Sequence, residues 1–166
     1  MRILMIIACS FFALNALTES EKTKDPYKFV WSEEDGRVSG MVRFWVDLDG
    51  DKKDEVFVGA KALMGTGGGL FHVFKVLGTR NYRYLGKVDV HPETVQILTA
   101  SRNGFRQFKS YWHLSAENGD LNTFTFDGTK FIKTAKKKIN AEDLHKNLTA
   151  TQINLQDSGP TLTWEP

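Results

Sequence analysis

The stretch Met41-Val42-Arg43-Phe44-Trp45-Val46-Asp47-Leu48-Asp49-Gly50-Asp51-Lys52-Lys53-Asp54-Glu55-Val56-Phe57-Val58-Gly59-Ala60 decides how the rest of the chain is read. Its two ends, Met41–Val46 and Val56–Ala60, are short, aromatic and β-branched, which is strand chemistry. Between them, Asp47–Glu55 crowds four Asp and one Glu into nine positions. Carboxylates at this density repel one another unless a cation lies among them. Oxygen-only donors favour a hard ion, and a flexible loop of many carboxylates suits Ca²⁺ better than Mg²⁺. The plain alternative is an ion-free acidic turn, since Asp and Gly are good turn residues in their own right.

Outward from this hairpin the pattern stays β. Tyr27–Trp31 is aromatic enough for a first strand, and Glu33–Gly36 is a turn signal. Gly65–Gly69 interrupts the strands. A phosphate cradle would lead into a helix, but the sequel Leu70–Leu77 is β-branched and aromatic, so the glycines read as a loop with positive φ or close backbone approach. Gly78–Asn81 closes a hairpin onto Tyr82–Val88, and His91-Pro92 ends that strand. Thr94–Thr99 alternates imperfectly, Ser101–Gly104 turns, and Phe105–Leu114 is strongly aromatic. After a turn at Ala116–Asp120, Leu121–Phe126 alternates, and Asp127-Gly128 signals a hairpin into Lys130–Lys133. The Lys136–Lys138 run reads as a solvated connector. Helical spacing comes last, with Asn140 as N-cap and Ala141, Leu144 and Leu148 on one face. The expectation is an all-β, predominantly antiparallel compact sheet system with one short C-terminal helix. A sandwich or an open barrel is the economical form. Propeller-blade-like hairpins are suggested by the likeness of Phe71–Lys87 to Asn122–Lys133, but a closed propeller needs about four blades of ~40–45 residues each.

The chain has 166 residues, twelve of them Phe, and a net charge of +2. That is a one-domain length with enough apolar mass for a core, and no basic stripe of the kind a nucleic-acid binder carries. Arg2 followed by the apolar run Ile3–Ala13 and small residues near Ala16 and Ser20 reads as a signal peptide over residues 1–20, too short to span a bilayer comfortably. Residues 21–26 form a polar leader, 27–139 the β domain, and 140–166 the short helix and tail. The one cysteine, Cys9, lies in the signal segment, where an uncleaved amphiphilic anchor and lipidation are the alternatives to cleavage. The mature domain then has no disulfide, no stable membrane span and a periplasmic or extracellular address.

The acidic loop departs from an EF-hand: position 6 is Lys52 rather than Gly, position 12 is Val58 rather than Glu, and its flanks are strands. The string Asp47-Leu48-Asp49-Gly50-Asp51-x-x-Asp54-Glu55-Val56-Phe57-Val58-Gly59 instead resembles the calcium loop of FG-GAP and VCBS-type repeats, known from integrin α-subunit propellers and many exported bacterial proteins. The resemblance implies Ca²⁺ held by the side chains of Asp47, Asp49, Asp51 and Glu55 and by the backbone carbonyl of Lys53, with Asp54 in support. Two positions depart from that family's pattern. Lys52 stands where Gly is usual, and Glu55 where Asp is usual. More loosely, Asn103-Gly104-Phe105-Arg106 and Phe126–Phe131 are similar to segments of small exported bacterial proteins with a single such loop.

Other chemistry is thin. His72, His91 and His113 lack zinc-ligand spacing, no Gly-x-Ser-x-Gly elbow is present, and the mature chain has no thiol. Arg102, Arg106 and Lys109 flank Phe105 and Tyr111, which suggests either a cation–aromatic surface for an anionic glycan or a charged face over an aromatic core. The leading expectation is an exported calcium-binding β domain that serves as a binding or accessory module, with an unknown protein or glycan partner and no nucleic acid. The alternatives are a secreted hydrolase using loop carboxylates or bound metal, and an inhibitor of a secreted enzyme inserting Gly65–Gly69 or Ser101–Gly104 into its target.

Overall fold

The computed structural model describes residues 22–34, 40–115, 117–140 and 143. Their order is β1 (Lys22–Thr23), α1 (Pro26–Glu33), β2 (Met41–Val46), β3 (Glu55–Ala60), β4 (Gly69–Gly78), β5 (Asn81–Val90), β6 (Gln96–Arg102), β7 (Phe105–His113), β8 (Asn118–Phe126) and β9 (Phe131–Asn140). The fold is all-β and antiparallel throughout, in two sheets. One has the order β1-β5-β4-β3-β2 and the other β6-β7-β8-β9.

Local chemistry sets the hairpins. Asn103 (φ +51°) and Gly104 (φ +85°) make the two-residue turn between β6 and β7, the pair of positive φ values that a type I′ turn needs. At the β8–β9 turn, the Asp127 carboxylate accepts from the N–H groups of Thr129 and Lys130, both at 2.8 Å. Pro92 opens a single 3₁₀ turn at Pro92–Thr94, and there the chain leaves the first sheet for the second. Gly68 (φ +119°) lies so close to β5 that a Cβ would sit 2.5 Å from the Val90 carbonyl oxygen. That is the close approach expected of the glycine run.

The main core is shared by the two sheets. Phe44, Phe57, Phe71, Val73, Leu85, Val88 and Val90 of the first meet Phe105, Phe108, Phe124, Phe126 and Phe131 of the second. Phe57 stacks on Phe44 at 4.4 Å and meets Phe108 edge-on at 5.9 Å, so one ring joins both layers. Burying a ring of this size contributes about 1.5–3 kcal/mol, and each favourable ring pair about 0.5–1.5 more.

The opposite face of the first sheet is covered by α1. Val30 packs on Val56, Val58 and Phe74, with Tyr27 and Phe29 beside it. Every residue of β3 is consequently buried. This corrects the expectation that Tyr27–Trp31 is a strand. Asp25 accepts from the N–H groups of Tyr27 (3.0 Å) and Lys28 (3.3 Å), and Pro26 supplies a ready-made φ in the first turn. Aromatic content spoke for a strand, but the Asp-Pro start decided for a helix. A helix of eight residues is marginal alone, so packing on the sheet holds it.

Three further differences follow from pairing. Lys22–Thr23, within the expected leader, adds a strand beside Tyr82 and Arg83. Thr94 belongs to the 3₁₀ turn and strand pairing starts only at Gln96. Lys136–Lys138 is no connector: β9 runs on to Asn140, paired with β8. Lysines on such an open edge discourage pairing with another chain. The predicted C-terminal helix lies outside the described residues apart from Asp143, whose N–H donates to Asn140 Oδ1 at 2.8 Å as an N-cap would require.

Candidate metal centre

The acidic loop joins the last residue of β2 to the first of β3, where Val46 pairs with Glu55. Its curl is written in its own side chains. Asp47 Oδ1 accepts from Gly50 N at 2.6 Å, Asp49 Oδ1 from Asp51 N at 3.1 Å, and Asp51 Oδ1 from Lys53 N at 2.8 Å. Such successive Asx bonds replace the lost strand ladder with local turns. Gly50 (φ +81°) and Lys52 (φ +66°) both occupy the left-handed region. For Lys52 that conformation costs about 1 kcal/mol or more, because its Cβ crowds the backbone in the left-handed region.

Leu48 bolts the loop to the rest of the molecule. Its side chain is fully buried in the shared core. Its N–H donates to Glu55 Oε2 at 2.7 Å, and its carbonyl accepts from Arg106 N at 2.6 Å, on the second sheet. The Arg106 guanidinium also lies over the loop, 3.2 Å from where a Cβ on Gly50 would stand. The loop therefore belongs to one sheet and is pinned to the other.

Glu55 is the unusual member. It is 0 % exposed, and its Oε1 is buried with no hydrogen-bond partner. Burial pushes its carboxyl up to about 7, opposed by the Leu48 N–H and reinforced by the negative charges of Asp51 and Asp47. Asp54 is exposed, yet partial desolvation and the neighbouring Asp47 raise its carboxyl too. One oxygen each of Asp47, Asp49 and Glu55 converge within 4.8 Å of one another. Three carboxylate oxygens this close together form a group that could hold a metal ion.

Of the five positions marked in the sequence, the structure brings Asp47, Asp49 and Glu55 into one group. Asp51 lies beside them and turns its Oδ2 to the Lys75 ammonium at 3.0 Å. Lys53 gives its N–H to Asp51. Two further residues take part: Lys75, which no motif marks, and Arg106, expected instead on a cation–aromatic surface. Lys75 reaches Asp49 as well as Asp51, and Arg106 holds Leu48 by a backbone bond. The signal for Lys75 was available: it is a lone charge inside the apolar run Val73-Phe74-Lys75-Val76-Leu77.

The other candidates find structural surroundings. His72 is buried under α1 with Nε2 3.2 Å from Glu34 Oε1, which also takes Lys87 Nζ at 2.6 Å. His91 lies in the buried hydroxyl cluster at the 3₁₀ turn, where its N–H donates to Ser110 Oγ at 2.9 Å and its carbonyl accepts from Thr94 Oγ1 at 2.9 Å. Phe105 and Tyr111 are buried, so they offer no aromatic surface between Arg102, Arg106 and Lys109. Gly67 packs against the end of β7, where a Cβ would come within 2.7 Å of the His113 carbonyl oxygen. The tip of the same loop, Gly65 and Thr66, is exposed.

No protein-family model matches the chain, and no curated protein or solved structure matches it either.

Proposed function

We propose that Asp47–Glu55 is a Ca²⁺ site of structural purpose in a small exported β domain that acts as a binding or accessory module. The observation that carries this reading is the buried, unpartnered Glu55 Oε1 in a group with Asp47 and Asp49 oxygens. A buried carboxylate oxygen without a partner is costly, and a hard cation is the ligand that best relieves it. The all-oxygen donor set agrees with Ca²⁺, as does the resemblance to FG-GAP and VCBS-type loops. On this reading Asp47, Asp49 and Glu55 are the inner ligands, and Asp51 and the Lys53 carbonyl complete the set.

Bound Ca²⁺ would supply the positive charge that lets these carboxylates stay ionised together. The chain's own part is to present them. Leu48 sets the loop's height through its buried side chain, its N–H orients Glu55, and its carbonyl ties the arrangement to β7. Ordering the loop in this way stabilises the junction of the two sheets, which on this reading stack as a sandwich. Export rests on the signal-like segment at residues 1–20; among the described residues no helix is long and apolar enough to cross a membrane.

Isothermal titration of the metal-stripped protein with CaCl₂ tests the site. Binding heat, together with a raised unfolding temperature that Asp49→Ala abolishes, supports it. No heat and no thermal shift at millimolar Ca²⁺, or an undiminished response in Asp49→Ala, overturns it.

A further inference from the structure

We propose that Lys75 is a tethered stand-in for the cation: its ammonium occupies the acidic loop in the metal-free protein and must be displaced for the ion to bind. This rests on the calcium reading above and adds a built-in competitor to it.

Lys75 lies on β4, one residue beyond Phe74, which pairs with Val56. Extending that register places Lys75 opposite Glu55, on the same face of the sheet. Its Nζ contacts Asp49 Oδ2 and lies 3.0 Å from Asp51 Oδ2. Asp49 is thus claimed twice, by the lysine and by the converging trio of Asp47, Asp49 and Glu55. An ammonium already on Asp49 repels a divalent ion brought to the same carboxylate. The stem of Lys75 runs past the Phe105 ring, with Nζ 5.7 Å from its centroid. Arg83, its partner across β5, adds repulsion to the position. The side chain is 20 % exposed, so it has a route to solvent when the ion arrives.

Two consequences follow. The metal-free protein keeps an ordered loop, because part of its negative charge is already matched. Calcium affinity is lowered by the fraction of molecules in which Lys75 has left Asp49, since a ligand that needs a minor state binds more weakly by that fraction. Such a threshold suits surroundings rich in calcium, where modules bind at about 10⁻⁴–10⁻³ M.

The test is calcium titration of the full chain as wild type, Lys75→Met and Lys75→Arg, with thermal unfolding in EDTA. Lys75→Met is expected to bind Ca²⁺ about tenfold more tightly, the gain from a competent state populated about one-tenth of the time. Its metal-free unfolding temperature falls below that of the wild type. Lys75→Arg keeps the charge and stays near wild-type affinity. Should Lys75→Met unfold in EDTA, the ¹⁵Nζ resonance of Lys75 in the wild type replaces it as the readout. That signal moves on saturation with Ca²⁺ if the ammonium leaves Asp49. Wild-type binding with Lys75→Met equal or weaker, or a Lys75 signal unmoved at saturation, overturns the inference and leaves the calcium site standing. Absence of binding in wild type and Lys75→Met alike overturns both.

Discussion

Glu55→Gln separates the electrostatic burden of a buried carboxylate from the ligand role proposed for it. In the metal-free protein, Glu55 is wholly buried and its carboxyl is pushed from 4.5 up to about 7. At about 1.4 kcal/mol per pH unit, ionising it in place costs roughly 3 kcal/mol of stability. The unfolded chain releases this proton near 4.5, whereas the folded chain keeps it to about 7. Between those values the native state binds the extra proton, so stability is full below 4.5 and is lost as pH rises through 7. Glutamine keeps a carbonyl oxygen to accept from Leu48 N and carries no charge. In EDTA at about pH 8, the variant should be more stable than the wild type by about 2–3 kcal/mol, and near pH 4 the two should agree. Urea unfolding followed by tryptophan fluorescence measures the difference. On the proposed calcium reading, millimolar Ca²⁺ should close or reverse the gap, because binding would stabilise the wild type more than the variant. A variant less stable than the wild type in EDTA at alkaline pH, or a gap that persists under acid, would refute the electrostatic argument.

Two further outcomes test the surrounding fold. Burial holds the His72 imidazole below its ordinary pKa of 6.5 despite the Glu34 carboxylate, with the Lys87 ammonium adding to the depression and Glu33 opposing it. The native state therefore resists a proton that the unfolded chain accepts, and stability is lost as pH falls below 6.5. On a Glu55→Gln background, His72→Phe should flatten this acid-side loss in urea titrations; an unchanged slope would remove His72 as its source. Gly119→Ala should cost about 1–3 kcal/mol by the same assay, because the new methyl would stand 2.1 Å from Tyr111 Cζ and the buried ring must shift. A loss under about 0.5 kcal/mol would show that Tyr111 is free to move.

Much of the strand order was legible because hairpin turns are local chemistry. Asn103-Gly104, Asp127-Gly128 and the turn after Gly78 each carry their own backbone instructions, and the structure turns at all three. Tyr27–Trp31 departs from its strand expectation because aromatic residues suit a strand and a sheet-covering helix equally. The discriminating residues, Asp25 and Pro26, stand just outside the apolar stretch. Lys136–Lys138 gives no strand signal because an edge strand open to solvent needs no alternation of apolar and polar residues. Seven successive positions of β9 are exposed.

By itself the sequence determined the β class, the hairpin around Asp47–Glu55 and the crowding of carboxylates there. Each depends on neighbours within a few residues, where propensity, turn geometry and Asx bonds act directly. Only the tertiary structure decided which carboxylates converge, that Glu55 is buried with one oxygen unmet, and that Arg106 and Lys75 reach the loop from distant strands. Lys75 stands 26 residues from Asp49 in the chain. Desolvation and ion pairing depend on what packs nearby in space, and no local pattern encodes that. The loop's composition gathers the negative charge; the second sheet and β4 decide what meets it.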